Sequence, residues 1–156
     1  TLCNNDIAMV LLDRPLEGLD ADTVTVDNEA GARGAVERLL AQGHRRIAAL
    51  ALDARIWTVA RRVAAYRIAL IDAGLPVDEA LISTDPDSDR ARGAMRRMLA
   101  LDDPATAVLA TNHSAGRAAM RAIRDAGTTV DLAVFGSTTQ HVVRGARCPV
   151  LVVHTD

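Results

Sequence analysis

Few residues in this chain have the types and spacing that chemistry requires. The four histidines, His44, His113, His141 and His154, are scattered at separations that build no metal-binding face, so structural or solvated roles are expected and no metal is predicted. Asp85, Asp87 and Asp89 alternate like the start of a calcium loop. Arg90 stands where such a loop needs glycine, however, and Arg96 where it needs glutamate. The turn therefore reads as a polar cap for the helix that follows. Thr111-Asn112-His113-Ser114 is the more informative stretch. Its amide and hydroxyls, placed after an apolar run and before a helix, suit either a polyol or base edge, or a plain helix cap. No nucleophile elbow, phosphate loop or dinucleotide fingerprint is present, so neither an enzyme nor a cofactor is predicted.

The elements that would position these residues alternate along the chain. Short apolar runs at Met9–Asp13, Thr23–Val26, Arg46–Leu52, Thr106–Thr111, Asp131–Phe135 and Val150–His154 read as strands covered on both faces. Between them lie helical patterns. Ala32, Val36, Leu39 and Leu40 share a face behind Asp27 or Asn28 as cap. Val59, Val63, Tyr66 and Leu70 form a second stripe, and Met95, Met98 and Leu99 a third. A fourth helix runs from about Ser114 to Ala126. Gly43, Gly74 and Gly127 supply three of the stops. This alternation predicts an α/β fold: a three-layer, doubly wound parallel sheet of strand order 2-1-3-4-5, with residues 1–156 in one domain. Ligands of such sheets sit beyond the carboxyl ends of the strands. That rule selects Asp53 to Thr58, Thr111 to Ser114 and Gly136 to Thr139.

Composition narrows the partners. The chain has 156 residues and a formal net charge of −2, and all 18 of its basic side chains are arginine. That balance argues against direct binding of nucleic acid. Cys3 and Cys148 have no metal or disulfide spacing, which fits a reducing compartment. No run approaches the ~20 apolar residues of a membrane span. A cytoplasmic location is expected.

Several segments, in order, resemble one family. Val10-Leu11-Leu12-Asp13-Arg14-Pro15, Val26-Asp27-Asn28-Glu29-Ala30-Gly31-Ala32 and Leu40-Ala41-Gln42-Gly43-His44-Arg45-Arg46-Ile47-Ala48 are the first three. Tyr66-Arg67-Ile68-Ala69-Leu70, Ala73-Gly74-Leu75-Pro76, Thr111-Asn112 and Asp131-Leu132-Ala133-Val134-Phe135-Gly136 follow. Over residues 9–136 the sequence is similar to the effector-binding domain of the lactose/galactose repressors. The resemblance implies a periplasmic-binding-protein-like half domain, a homodimer, and a sugar or nucleoside held by Asp13, Thr58, Arg62, Asn112 and His113. His113 stands where the family usually has aspartate, and Ser137-Thr138 where an acidic contact is usual. The family's DNA-reading head has no counterpart in this sequence.

The tail reads differently. Gly136-Ser137-Thr138-Thr139-Gln140-His141-Val142-Val143 and Cys148-Pro149-Val150-Leu151-Val152-Val153 resemble the end of a universal stress protein. In that family the segment is a helix and a strand whose Gly136-Ser137-Thr138 equivalent holds a nucleotide phosphate, as helix N-termini can. The expectation is a sensor that is a fusion of two related folds, residues 9–136 repressor-like and 137–156 stress-protein-like. A nucleotide-binding domain and a scaffold without a ligand are the alternatives.

Overall fold

The computed structural model describes residues 10–135 and the strand at 150–153. Among the described residues seven strands and four α-helices follow one another: β1 (Val10–Leu12), β2 (Asp22–Val24), α1 (Asn28–Ala41), β3 (Ile47–Leu50), α2 (Trp57–Asp72), β4 (Ile82–Ser83), α3 (Ser88–Leu99), β5 (Ala107–Ala110), α4 (His113–Ala126), β6 (Asp131–Phe135) and β7 (Val150–Val153). All strand pairings are parallel. The main sheet has the order β4-β3-β5-β6-β7, which is the expected 2-1-3-4-5 winding when its strands are counted along the chain.

Two features depart from the sequence reading. Among the described residues β1 and β2 pair only with each other, in register Val10 with Asp22, and form a separate two-stranded sheet. The place beside β3 is taken by β4, which the sequence reading missed. Two residues at the rim of an aspartate-rich turn carry no readable alternation, and only pairing with Ala49 and Leu50 makes them a strand.

The period of two along each strand builds the core. Ala48, Leu50, Val108, Ala110, Leu132 and Val134 face α3 and α4, while Ile47, Ala49, Ala107, Leu109 and Ala133 face α1 and α2. Both faces of the main sheet are covered, so the central strands β3 and β5 are apolar at every position. Each buried Leu- or Ile-sized side chain stabilises the fold by about 1.5–3 kcal/mol. Tyr66 is the large aromatic of this core, and its hydroxyl donates to the Ile47 carbonyl at 2.7 Å. Burial pushes the phenol well above its ordinary pKa.

Local chemistry sets the helix ends. Asp27 accepts from the Ala30 N–H at 2.8 Å and opens α1. Asp87 accepts from Asp89 and Arg90 and opens α3, so the aspartate turn is indeed a cap. α4 ends at Gly127, whose φ of +64° lies in the left-handed region. At Gly116 the backbone of α4 approaches β6 so closely that a Cβ would meet Val134 Cγ1 at 2.9 Å. His44 ties the opposite, amino-terminal end of the sheet together, reaching Thr106 Oγ1 and Asp131 Oδ2 at 3.0 Å each.

Candidate functional site at the carboxyl ends of the strands

Because the strands are parallel, their carboxyl ends lie on one side, and the loops leaving β3 and β5 open helices there. Arg62 is the hub. It lies on the inner face of α2 and is only 8 % exposed, one helical turn beyond the buried Thr58. Its Nε donates to Asn28 Oδ1 at 2.8 Å, and its Nη1 to the Thr111 carbonyl at 2.6 Å. Burial pulls the guanidinium below its ordinary pKa, and the Asp13 carboxylate acts against that shift. One side chain thus links the start of α1, the end of β5 and the charge after β1.

The backbone at this end is unusual in two places. Asp13 and Asp53 have φ of +77° and +60°, and they follow β1 and the β3 loop respectively. Aspartate tolerates this region better than most residues, and such conformations gather at functional sites. The Asp13 N–H is fixed by the Val24 carbonyl at 2.9 Å, and the Asp53 carboxylate is held by Arg55 at 2.7 Å. The Arg55 hydrogen bond holds the Asp53 carboxyl below the usual carboxylate range.

At the start of α4, Asn112 is the helix cap, accepting from the Ala115 N–H at 2.9 Å through Oδ1. The cap role anticipated for it is therefore real, and a ligand would meet its Nδ2. Thr111 is fully buried, and among the described residues its Oγ1 has no hydrogen-bond partner; nor has the buried Nδ1 of His113. Orphaned polar atoms of this kind are uncommon and each lowers stability. Among the described residues the two atoms are not bonded to each other, and both are open to hydrogen bonds from a polar molecule.

The structure thus places Asp13, Thr58, Arg62, Asn112 and His113 at the same end of the fold, on three different segments. Gly136, Ser137 and Thr138 lie outside the described residues. From sequence, Asn28 was read only as a helix cap, and Thr111 as part of the 111–114 stretch suited to a polyol, a base edge or a cap. Their place at the strand–helix junctions was the available signal for a role beside Arg62. Next to this cluster a cleft of about 400 Å³ is lined by Asn28, Glu29, Trp57 and Arg61 among others. Arg61 lies 5.1 Å over the Trp57 ring and bonds Glu29 at 2.8 Å.

A match to a family model decides the ancestry of this arrangement: the model describing periplasmic binding proteins and the sugar-binding domain of the LacI family covers residues 4–146. The chain belongs to this family. The match runs ten residues past Gly136, and the comparisons give no support to a stress-protein origin for the tail. Val150–Val153 nonetheless completes the sheet beside β6, as the tail was expected to do. Among curated relatives, the chain is 37% identical over 134 residues to the HTH-type transcriptional regulator CelR of Thermobifida fusca, covering 84% of this chain and 39% of the relative. It is 36% identical over 125 residues to GalS of Salmonella typhimurium, covering 80% and 37%. The chain therefore spans about two fifths of the length of these relatives. Among solved structures, a CelR–cellobiose complex superposes with a TM-score of 0.73 at 27% identity, over 94% of this chain and 57% of that one. A LacI-family regulatory protein from Chloroflexus aggregans gives 0.77 at 28% identity, over 94% and 56%.

Proposed function

We propose that this chain is the effector-sensing part of a LacI-type transcriptional regulator, binding a sugar or nucleoside at the carboxyl ends of its strands. The observation that carries this reading is the convergence on Arg62 of Asn28, Thr111 and the Asp13 charge, beside two buried polar atoms that lack partners. A polyhydroxylated ligand supplies both donors and acceptors, so it can satisfy the Thr111 hydroxyl and His113 Nδ1 together. Arg62 provides a rigid cation whose orientation is fixed before the ligand arrives. The relative crystallised with cellobiose supports a sugar as the first ligand to try. Asp13, Thr58, Asn112 and His113 are the remaining contacts of this proposal.

The same reading includes a homodimer and a cytoplasmic location. β7 stands last in the sheet order, where a copy of itself could pair. Among the described residues, no helix is long and apolar enough to cross a membrane.

The test is a thermal-shift panel of cellobiose, monosaccharides and nucleosides against the purified chain. A ligand at about a hundred times its dissociation constant adds roughly 2.7 kcal/mol, a rise of several degrees. The rise should vanish in Arg62→Ala and shrink in Asn112→Ala, whose fold is less at stake. Silence from the whole panel, or a hit indifferent to both substitutions, would defeat the proposal.

A further inference from the structure

Charge is distributed unevenly over this molecule. α3 and α4 together hold seven arginines and two aspartates, an excess of five positive charges on a chain whose formal net charge is −2. Of those seven, only Arg90 and Arg92 form ion pairs among the described residues, with Asp85 and Asp125. The two helices pack side by side, and between them runs a cleft of about 110 Å³. It is lined by Ser88, Asp89 and Arg92 from α3 and by Ser114, Arg117 and Arg121 from α4.

Arg117 and Arg121 sit one turn apart on α4, exposed and without a carboxylate partner among the described residues. Like charges at this spacing repel, and a concave wall concentrates their field. A bound anion would reverse that penalty. The guanidinium fork matches the edge of a tetrahedral oxyanion, and the hydroxyls of Ser88 and Ser114 add neutral donors from both walls. Asp89 is the single carboxylate in the lining, and Asp125 is engaged by Arg92.

We infer that the cleft between α3 and α4 is a second, anion-specific site that takes one phosphate group, free or carried by a small metabolite. It shares no lining residue with the Arg62 cluster and does not depend on that reading. The cleft suits a single phosphate; a duplex would need a longer stripe of contacts.

Isothermal titration with inorganic phosphate, at ionic strength matched with sodium chloride, tests it. Glycerol phosphate, with glycerol as its uncharged control, separates the two sources. The expected result is saturable binding at one phosphate per chain, weakened at least tenfold in Arg117→Gln/Arg121→Gln and unchanged in Arg97→Gln. Tighter binding of glycerol phosphate than of phosphate would assign the site to a metabolite, and equal or weaker binding to the free ion. Phosphate acting no differently from chloride would overturn the inference. So would binding that survives the double substitution, or arginine-dependent capture of duplex DNA without any of phosphate.

Discussion

Replacing Thr111 by valine should make the unliganded chain more stable. The hydroxyl lies on a side chain with no exposed surface, and it has no hydrogen-bond partner among the described residues. Burying a hydroxyl unpaired costs about 1–3 kcal/mol by mutational measures. Valine keeps the branched shape, removes that cost and adds a buried methyl. The expected gain is therefore about 1–3 kcal/mol, or a rise in Tm of roughly 3–8 °C. The Arg62 bond to this residue goes to the carbonyl and is kept. Urea unfolding followed by the fluorescence of Trp57, the single tryptophan, gives the midpoint directly. The same substitution should weaken the sugar or nucleoside found in the ligand panel by about tenfold, since a partner for the ligand is gone. Had the hydroxyl been bonded in the free chain, valine would instead cost about 1 kcal/mol. A lowered midpoint at unchanged slope would therefore refute the argument that Thr111 waits for a ligand.

Other perturbations test the frame around the site. Tyr66→Phe removes the bond to the Ile47 carbonyl and leaves that buried acceptor unpaired, so unfolding should become easier by about 1–3 kcal/mol in the same urea assay. Two glycines should respond with opposite signs. Gly34→Ala, with nothing within 4 Å of the added Cβ, should stabilise α1 by about 1 kcal/mol. Gly116→Ala should destabilise by about 1–2 kcal/mol, because the clash with Val134 outweighs the gain in helix propensity; thermal melts of both variants would decide. Acid should also weaken the fold. The Arg46 hydrogen bond, and then the Ala80 N–H, hold the Asp78 carboxyl below its ordinary range. A depressed folded pKa adds stability that is full above the ordinary value of about 4 and is lost as pH falls through the folded value. Urea midpoints measured from pH 6 to pH 3 should fall less steeply in Asp78→Asn than in the native chain.

Local signals made much of this protein legible in its sequence. The apolar runs at 47–50, 107–110 and 132–135 fall inside the expected strands, because strand positions covered on both faces must be apolar. Asp27, Asp87 and Gly127 mark helix ends through bonds to residues within a turn, which short-range spacing can reveal. Arg62 came from the family resemblance, and no periodicity singles it out; Asn112 was marked both by that resemblance and by its place between an apolar run and a helix. What only the tertiary structure decided is long-range. Ile82–Ser83 becomes a strand through pairing with β3, and β1 with β2 stands as a sheet of its own. Asn28, 34 positions away from Arg62, is its acceptor because two parallel helices pack on the same face of the sheet. The lack of a partner for Thr111 Oγ1 is likewise invisible in one dimension, since it depends on which groups from every neighbouring element fail to arrive. Pattern along the chain specifies elements; the meeting of their ends, set by parallel winding, creates the site.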